Sequence, residues 1–375
     1  MIRVLLVSPK DPKNPSGLKY LMGGENTYTK TLLTCPPDGV EFVHFQQALK
    51  SGLIEYLPIQ KILSLLVKYR LLPTSAGSQC FRVRKGFDII HCHGYSIKIS
   101  GLEIPVVISD SSSAFLFLRD YINWPLWRIK LGYMMRRILF NWLGIIDADT
   151  NLEKAKSLVV FSNFARKVHI SLGAAKRKIK VIYPGVSGQE EREEITDHKS
   201  VNILFVGIWF ERKGGTLLID AFEELSKKYS SLKLTIVGPI PGNIKLNKIV
   251  KQIDFVPRNK LMREYFPWAD IFVLVPLKAE GLGFVVLEAM SFGIPSIVSN
   301  IYALAEIVEN GKTGFVVKPG SVEDLKNSLE VLINNESLRI KMGKAAKERY
   351  EKNFSVAVMN KKLLNVYKDV LGGNH

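Results

Sequence analysis

Residues 280–295 read EGLGFVVLEAMSFGIP, and the order of residue types in this stretch indicates the fold. It follows an apolar run at 271–275, passes through two glycines and continues as an apolar segment that ends at a Gly-Ile-Pro sequence. A strand, a glycine-bearing loop and a helix account for that order. The free N–H groups and the dipole at a helix N-terminus bind anions such as a diphosphate. The carboxylates of Glu280 and Glu288 could then accept hydrogen bonds from sugar hydroxyls at two parts of one long ligand.

Outward from this stretch, short β-branched runs alternate with helical segments along the whole chain. Buried parallel strands read as continuous apolar runs, and their alternation with helices implies right-handed βαβ crossovers. A length of 375 residues suits two domains of ordinary size. The sequence therefore predicts two doubly wound α/β domains, with strands at 4–7, 89–91, 106–109, 158–161, 181–183, 203–206, 234–237, 271–275 and 296–298.

A polar, acidic segment separates the two halves. Residues 188–200 have no apolar periodicity and precede a fresh β-branched run, which is typical of a linker. We therefore predict a first domain over residues 1–187 and a second domain that begins at residue 201.

The composition excludes several classes of protein. Hydrophobic residues make up 47% and charged residues 23%, which excludes disordered, collagen-like and disulfide-scaffold chains. Three cysteines without C-x-x-C spacing favour a reducing compartment, so we expect a cytoplasmic protein. The N-terminal apolar run is too short for a signal peptide, and no run reaches the length of a spanning helix.

The charge is strongly positive and unevenly distributed. The net charge is +17, and residues 1–185 hold 26 basic against 12 acidic side chains. This balance attracts an anionic partner: nucleic acid, anionic lipid or a phosphate-bearing substrate. Residues 54–72 and 115–146 mix aromatic, apolar and basic side chains and are predicted to form helices on an anionic membrane surface. The alternative is an ordinary core-facing helix with a solvated basic face.

Glu280 and Glu288, with seven residues between them in this setting, resemble the E-x7-E signature of the retaining GT-B glycosyltransferases, glycosyltransferase family 4 (glycosyl transferases group 1). The similarity covers nearly the whole chain. FVGIWFERKGG resembles the phosphate-binding turn of the family, and the closing segment is similar to a helix that crosses back to the first domain in this fold. The matching segments are residues 159–167, 179–186, 205–215, 234–239 and 353–367.

The resemblance implies a GT-B fold of two Rossmann-like domains facing across a cleft. The first domain would bind the acceptor, residues 201–352 the nucleotide sugar, and residues 353–375 would pack back on the first domain. Roles follow for individual residues. Glu280 would contact the donor sugar, Glu288 the ribose, and Lys213 would neutralise the diphosphate as it leaves. The further donor-binding candidates are Gly23, Gly24, Gly207, Arg212, Val256, Gly281, Leu282 and Gly283.

Two positions depart from the family pattern. An arginine usually follows the glycine of the phosphate turn, where Ile208 stands in this chain. Arg212, beside Lys213, could supply the missing charge because a guanidinium suits phosphate oxygens. A second histidine usually follows the strand after HCHG, where the sequence here is SDSSS (109–113).

The sequence HCHG at 91–94 ends a predicted strand, so His91 and His93 share one face. The resemblance makes His93 the active-site histidine, and a packed neutral histidine is the alternative. Asp147 and Asp149 form a D-x-D pair, which we interpret as a helix surface or cap rather than a metal site. No metal and no cofactor are expected.

These observations together predict an enzyme that transfers a hexosyl group from a nucleotide sugar to a glycan or lipid-linked acceptor, with retention of anomeric configuration. Peripheral attachment to the inner face of the cell membrane is part of this expectation. The alternatives are a non-catalytic membrane-associated subunit of the same fold, suggested by Ile208, and another GT-B enzyme such as an epimerase. A nucleic-acid-binding protein is suggested by charge alone, because no recognition motif accompanies it; no nucleic-acid partner is expected.

Overall fold

A computed structural model describes residues 1–8, 24–68, 78–101, 103–111, 114–188, 200–242, 244, 246–278 and 280–372. The chain divides into two compact units, residues 1–185 with 356–375, and residues 186–355. The predicted linker at 188–200 lies largely outside the described residues. Among the described helices, none is both long and apolar enough to cross a membrane.

The first unit is built around a parallel sheet. Its elements are β1 Ile2–Val7, α1 Gly24–Thr34, β2 Val40–His44, α2 Phe45–Lys50, β3 Ile54–Tyr56, α3 Ile59–Lys68, β4 Ser78–Val83, β5 Ile89–His93, β6 Ser96–Gly101, β7 Val106–Asp110, α4 Ala114–Leu116, a π-helical turn Phe117–Tyr121, α5 Leu126–Leu143, β8 Ser157–Val160, α6 Asn163–Ser171, a 3-10 turn Lys176–Lys178 and β9 Ile179–Val181. The main sheet has the order β2-β1-β5-β7-β8-β9 with every pair parallel. A second sheet, β3-β4-β6, pairs β3 and β4 antiparallel. Burial on both faces explains the continuous apolar runs of the central strands.

The second unit repeats this architecture with a six-stranded parallel sheet. Its elements are β10 Val201–Val206, α7 Gly215–Lys228, β11 Leu232–Val237, β12 Val250–Ile253, α8 Arg258–Lys260, a π-helical turn Leu261–Tyr265, β13 Ile271–Leu274, α9 Phe284–Ser291, β14 Ser296–Ser299, α10 Leu304–Ile307, β15 Gly314–Val317, α11 Val322–Asn334 and α12 Glu336–Asn353. The sheet order is β12-β11-β10-β13-β14-β15. The chain therefore moves outward on one side of β10 and, from β13 onward, on the other side. In open α/β sheets, ligands bind at such a reversal, outside the carboxyl ends of the strands.

The last helix, α13 Val356–Gly372, belongs to the first unit. Its buried residues are Met359, Leu363, Val366 and Tyr367. The Tyr367 hydroxyl lies 2.5 Å from Nδ1 of His91 on β5, so a buried polar contact fastens the helix to the main sheet.

Several predictions about local structure were wrong. Residues 54–72 do not form one helix, because residues 54–56 are strand β3 and the helix begins at residue 59; residues 69–72 lie outside the described part. Residues 115–146 are also broken, since a π-helical turn and residues 122–125 precede α5. Gly144, in the left-handed conformation, ends α5. The strand placed at 181–183 runs instead over 179–181.

Candidate functional site

The second unit brings the predicted donor residues to the switch point between β10 and β13. The loop after β10 carries Arg212 and Lys213, and the loop after β13 carries Glu280. A backbone hydrogen bond of 3.2 Å from Leu277 N to Arg212 O joins the two loops. Adjacent parallel strands end at the same edge, so residues 68 positions apart in the sequence become neighbours.

Two cations converge on the buried carboxylate of Glu280. Oε2 of Glu280 lies 3.4 Å from Arg212 Nη1 and 3.6 Å from Lys213 Nζ. The carboxylate is 10% exposed, so water screens these charges only weakly. This edge can hold an anionic group against Arg212 and Lys213 while Glu280 accepts hydrogen bonds from hydroxyls.

Gly207 makes room for Lys213. The first residue after β10 donates from its N–H to Val237 O at 2.9 Å. A Cβ at this position would stand 2.4 Å from Lys213 Cδ. Glycine is therefore required if Lys213 is to lie across the backbone at the end of β10.

Glu288 is the second buried carboxylate of this unit. It is the fifth residue of α9 and is 4% exposed, and Arg258 Nη2 donates to its Oε1 at 2.7 Å. Burial raises the pKa of Glu288, and the charges of Arg258 and Lys213 oppose that rise. Lys213 thus acts electrostatically on both glutamates.

Arg258 is a further charged residue of this candidate site, and the sequence did not predict its contact with Glu288. It follows Pro257, which precedes the short helix α8 in the loop after β12. Val256, the predicted donor residue nearby, is 2% exposed, whereas its neighbour Phe255 is 45% exposed.

The glycine-bearing loop leads into α9 as predicted. Gly283 stands at the N-cap with φ +76°, a conformation that favours glycine. Leu282 is buried and Gly281 half-buried, so the chain approaches the helix through a packed turn. The N-terminus of α9 has no side-chain cap. Its first N–H groups and its dipole can therefore attract an anion such as a phosphate.

The first unit places His93 in a buried aromatic cluster. Its ring stacks on Phe161 at 5.5 Å between centroids and lies 4.9 Å from the Tyr28 ring. Nδ1 of His93 lies 3.0 Å from Ser109 Oγ, and Nε2 is buried with no hydrogen-bond partner in the part of the chain that is described. One ring nitrogen of His93 therefore has unused hydrogen-bonding capacity among the described residues.

His91 has a structural role beside His93. Its Nε2 lies 2.9 Å from Ser109 Oγ, and its Nδ1 contacts Tyr367. Burial and the charge of His93 lower the pKa of His91 to about 3, so this ring is neutral. Both histidines meet Ser109, as their shared face on β5 requires, and Cys92 joins the apolar core on the other face.

Of the two donor-binding glycines predicted between the first strand and the first helix, the structure describes one. Gly24 is the first residue of α1. Gly23 lies outside the described residues.

Asp147 lies neither on a helix surface nor at a helix cap, contrary to our interpretation, whereas Asp149 Oδ2 accepts from the backbone N–H of Ala114 at the start of α4 at 3.1 Å. Asp147 is 2% exposed and pairs with buried Arg136 at 2.8 Å. Its Oδ1 also accepts from the backbone N–H groups of Thr150 and Asn151 at 2.8 and 2.7 Å, closing the turn between α5 and β8. A neutralised, hydrogen-bonded carboxylate of this kind orders a loop.

Asp149 belongs to a carboxylate–imidazole–carboxylate group in which His169 is buried and the two aspartates are partly exposed. His169 Nε2 lies 3.1 Å from Asp110 Oδ2, and its Nδ1 lies 3.6 Å from Asp149 Oδ1. Burial lowers the pKa of His169, but the hydrogen bond to Asp110 and the charges of both carboxylates outweigh burial and raise it. The three residues offer ligand atoms within 4.8 Å of one another. Because the carboxylates face opposite ring nitrogens, however, the arrangement suits a protonated imidazole better than one metal ion.

Comparisons with known proteins find a family similarity in the second unit. Residues 187–349 match the sequence profile of the family Glycosyl transferases group 1. The match spans most of the second unit. A stretch of 158 residues is 32% identical to an uncharacterized glycosyltransferase of Haemophilus influenzae and covers 40% of this chain and 44% of that protein. The capsular polysaccharide biosynthesis glycosyltransferase CapM of Staphylococcus aureus is 26% identical over 64% of this chain and 65% of its own length.

Solved structures extend the comparison to the fold of the whole chain. Sucrose-phosphate synthase from Thermosynechococcus elongatus matches with a TM-score of 0.68 and 14% identity, covering all of both chains. Anabaena HepE, crystallised with UDP and glucose, matches with a TM-score of 0.63 and 15% identity over 98% of this chain and 100% of that chain. At such identities the likeness concerns the fold alone. The fold is of the GT-B type, with two Rossmann-like domains, as the sequence predicted.

Proposed function

We propose that this chain is a retaining hexosyltransferase of glycosyltransferase family 4, with a nucleotide-diphosphate sugar as donor. One observation carries the proposal: Arg212 and Lys213 meet the buried Glu280 at the switch point of a glycosyl transferases group 1 domain. Cations, a free helix N-terminus and buried carboxylates together suit a ligand that joins a diphosphate to two sugars.

In this proposal Lys213 and Arg212 hold the diphosphate, helped by the N–H groups of Gly281–Gly283. Lys213 stabilises the charge that develops on the departing diphosphate, a charge that exists fully only after bond cleavage. Glu280 accepts hydrogen bonds from the transferred sugar. Glu288 uses the oxygen that Arg258 leaves available to accept from the ribose hydroxyls. These roles make both glutamates binding groups rather than nucleophiles.

His93 is the proposed contribution of the first unit. Its unpaired Nε2 would meet a hydroxyl of the transferred sugar, while Ser109 fixes the ring through Nδ1. No protein nucleophile is invoked, so retention would follow a front-face path in which the donor phosphate assists deprotonation of the acceptor.

The acceptor in this proposal is a glycan or a lipid-linked sugar at an anionic membrane. The relatives include, by name, a capsular polysaccharide biosynthesis glycosyltransferase and a sulfoquinovosyl transferase. The excess of basic side chains in residues 1–185 suits anionic acceptors and lipids.

Donor turnover in water tests the reaction without knowledge of the acceptor. The protein is incubated with UDP-, GDP- and ADP-glucose, and proton NMR follows the anomeric signal of the released sugar before mutarotation. We expect one donor to release the anomer that it carried, and Glu280→Gln to abolish release. Release of the opposite anomer refutes retention, and no release from any donor favours a non-catalytic subunit, the reading that Ile208 suggests.

A further inference from the structure

Helix α5 carries two apolar faces on opposite sides. The buried face contains Ile129, Arg136 and Phe140 and packs against the rest of the first unit. Six large apolar side chains form a second face, each between 46% and 81% exposed: Trp127, Leu131, Met134, Met135, Ile138 and Trp142. At 3.6 residues per turn, the centre of this second face lies about 180° around the helix from the buried face. We call these six residues the outer stripe.

Basic side chains border the outer stripe on both sides. With the same helix geometry, Arg128 falls at one edge of the stripe, and Lys130 and Arg137 fall at the other. All three side chains are exposed. The sequence of α5 contains neither Asp nor Glu. An apolar stripe between two rows of cations is the pattern of a helix lying flat in an anionic headgroup layer.

Helix α3 adds a second exposed apolar edge close by. Ile62 and Leu65, one turn apart, are 59% and 52% exposed, and Lys61 is exposed beside them. This helix also lacks acidic residues. Its first residue, Ile59, packs on the small cluster that contains Phe140 of α5. The two helices therefore belong to one region of the first unit.

We propose that the outer stripe of α5, with the exposed edge of α3, docks the first unit onto an anionic lipid bilayer. The stripe enters the boundary between headgroups and acyl chains, and the flanking cations contact lipid phosphates. The proposal rests on the proposed function, because a lipid-linked acceptor is reached at that boundary. The predicted membrane contact, which comprised all of residues 54–72 and 115–146, is thereby reduced to the outer stripe and the exposed edge of α3.

Charge identifies the occupant as lipid rather than a second copy of the chain. Two copies packed stripe to stripe would bring rows of like charges together, with no acidic residue on either α5 to offset them. An anionic bilayer supplies the opposite charge along both rows and an apolar layer between them. The exposed tryptophans near both ends, Trp127 and Trp142, have the amphipathic ring that prefers the membrane interface.

Flotation with vesicles of 70% phosphatidylcholine and 30% phosphatidylglycerol tests this surface with the full chain. We expect binding that falls when salt rises from 0.1 to 0.5 M and is much weaker with phosphatidylcholine alone. Replacing Leu131, Met134 and Ile138 by Gln together should weaken partitioning at least about tenfold through lost apolar burial. Lys130→Gln with Arg137→Gln should weaken it roughly 25-fold, from the usual contribution of two cations near an anionic surface.

A matched control replaces apolar side chains that are equally exposed on other helices. Val331→Gln with Ile340→Gln changes side chains that are 45% and 66% exposed in the second unit. This variant should bind vesicles like the unchanged protein. Circular dichroism and the melting temperature establish that each variant is folded.

Quenching by brominated lipid gives a local readout. Trp127 and Trp142 are 68% and 81% exposed, and Trp209 and Trp268 are 53% and 56% exposed. Quenching should be lost in the Trp127→Phe, Trp142→Phe variant and retained when Trp209 and Trp268 are replaced. Equal quenching in both variants overturns the proposal.

Two further results contradict the docking surface. One is unchanged vesicle binding by the folded triple Gln variant. The other is a dimer, measured by light scattering, that the triple variant converts to a monomer, since the stripe would then be a self-interface. Failure of the proposed function is distinguishable: a protein that floats with vesicles but releases sugar from no donor keeps the docking surface and loses the enzymatic role.

Discussion

Arg258→Met should destabilise the second domain in a pH-dependent way, because it removes a charge-assisted hydrogen bond from a buried carboxylate. The Glu288 side chain is 4% exposed and the Arg258 side chain is 33% exposed, and Arg258 Nη2 lies 2.7 Å from Glu288 Oε1. Breaking a fully buried pair costs about 3–5 kcal/mol. The partial exposure of Arg258 and the nearby charge of Lys213 reduce this to about 2 kcal/mol at pH 8. A domain of this size then melts roughly 4–8 °C lower.

The sign of the pH dependence follows from the direction of the Glu288 pKa. Burial raises this pKa against the opposing charges of Arg258 and Lys213, so removing Arg258 raises it further. At low pH the folded variant binds a proton on Glu288 and the cost is small. Above the pKa that Glu288 has in the folded, unchanged protein, the folded variant must either keep the Glu288 proton or bury an unpaired carboxylate. The loss in free energy of unfolding caused by Arg258→Met therefore grows as the pH rises.

Calorimetric melting at pH 5 and pH 8 measures the effect. Lys260→Met is the matched control, because its pair with Glu264 is 3.6 Å long and about half exposed on both sides. Its cost should stay within about 0.5 kcal/mol at both pH values. In a Glu288→Gln background, Arg258→Met should lose most of its effect. The reasoning would be refuted if Arg258→Met destabilised the unchanged protein and the Glu288→Gln variant equally, or if its destabilisation did not depend on pH.

Three other changes have expected outcomes. His169→Gln should lower the free energy of unfolding by about 2–4 kcal/mol at pH 6 and by less at pH 9. The raised pKa of His169 stabilises the fold fully below the ordinary value near 6.5, and this stabilisation is lost as the pH rises through the folded pKa. Melting curves at the two pH values measure the difference. Tyr367→Phe should cost about 1–2 kcal/mol by leaving His91 Nδ1 unpaired, whereas the exposed control Tyr56→Phe should be nearly neutral in urea unfolding. Gly207→Ala should weaken donor binding at least about tenfold by displacing Lys213, with a melting temperature within a few degrees of the unchanged protein, as calorimetric titration and melting would show. Unchanged donor binding by Gly207→Ala would contradict the assigned position of Lys213.

The sequence was most informative where strands are buried on both faces. Runs such as ILFV at 203–206 and IFVL at 271–274 are continuous and apolar, and each lies within an observed strand. The missed strands are shorter or partly polar. SQCFRV of β4 and VKQI of β12 have exposed side chains, so no continuous apolar run marks them.

The broken helix before α5 had a weak signal. Pro125 disfavours helix at the residue before it, and the structure has no helix at 122–125. Amphipathic composition alone does not reveal such an interruption. The periodicity of α5 was also concealed, because apolar residues on both the buried and the outer face leave few polar positions.

The candidate site was predictable only in part. The spacing of glycine and glutamate in residues 280–288 predicted that part of the site. The position of Lys213 in a turn after a strand predicted its place in the site. Arg258 has no such signal, because its role depends on a loop from β12 folding against α9. The Asp110–His169–Asp149 group unites three distant segments, and pairing across such distances is set by tertiary packing.

The most direct test of the central claim is donor binding at the β10–β13 switch point. Melting temperatures are measured with UDP-, GDP- and ADP-sugars for the unchanged protein and for Glu288→Ala, each against its own ligand-free value. A donor at 100 times its dissociation constant adds about 2.7 kcal/mol, so we expect one nucleotide class to raise the melting temperature by roughly 5–10 °C. That rise should disappear in Glu288→Ala. No rise with any donor, or an equal rise in both proteins, would contradict the account.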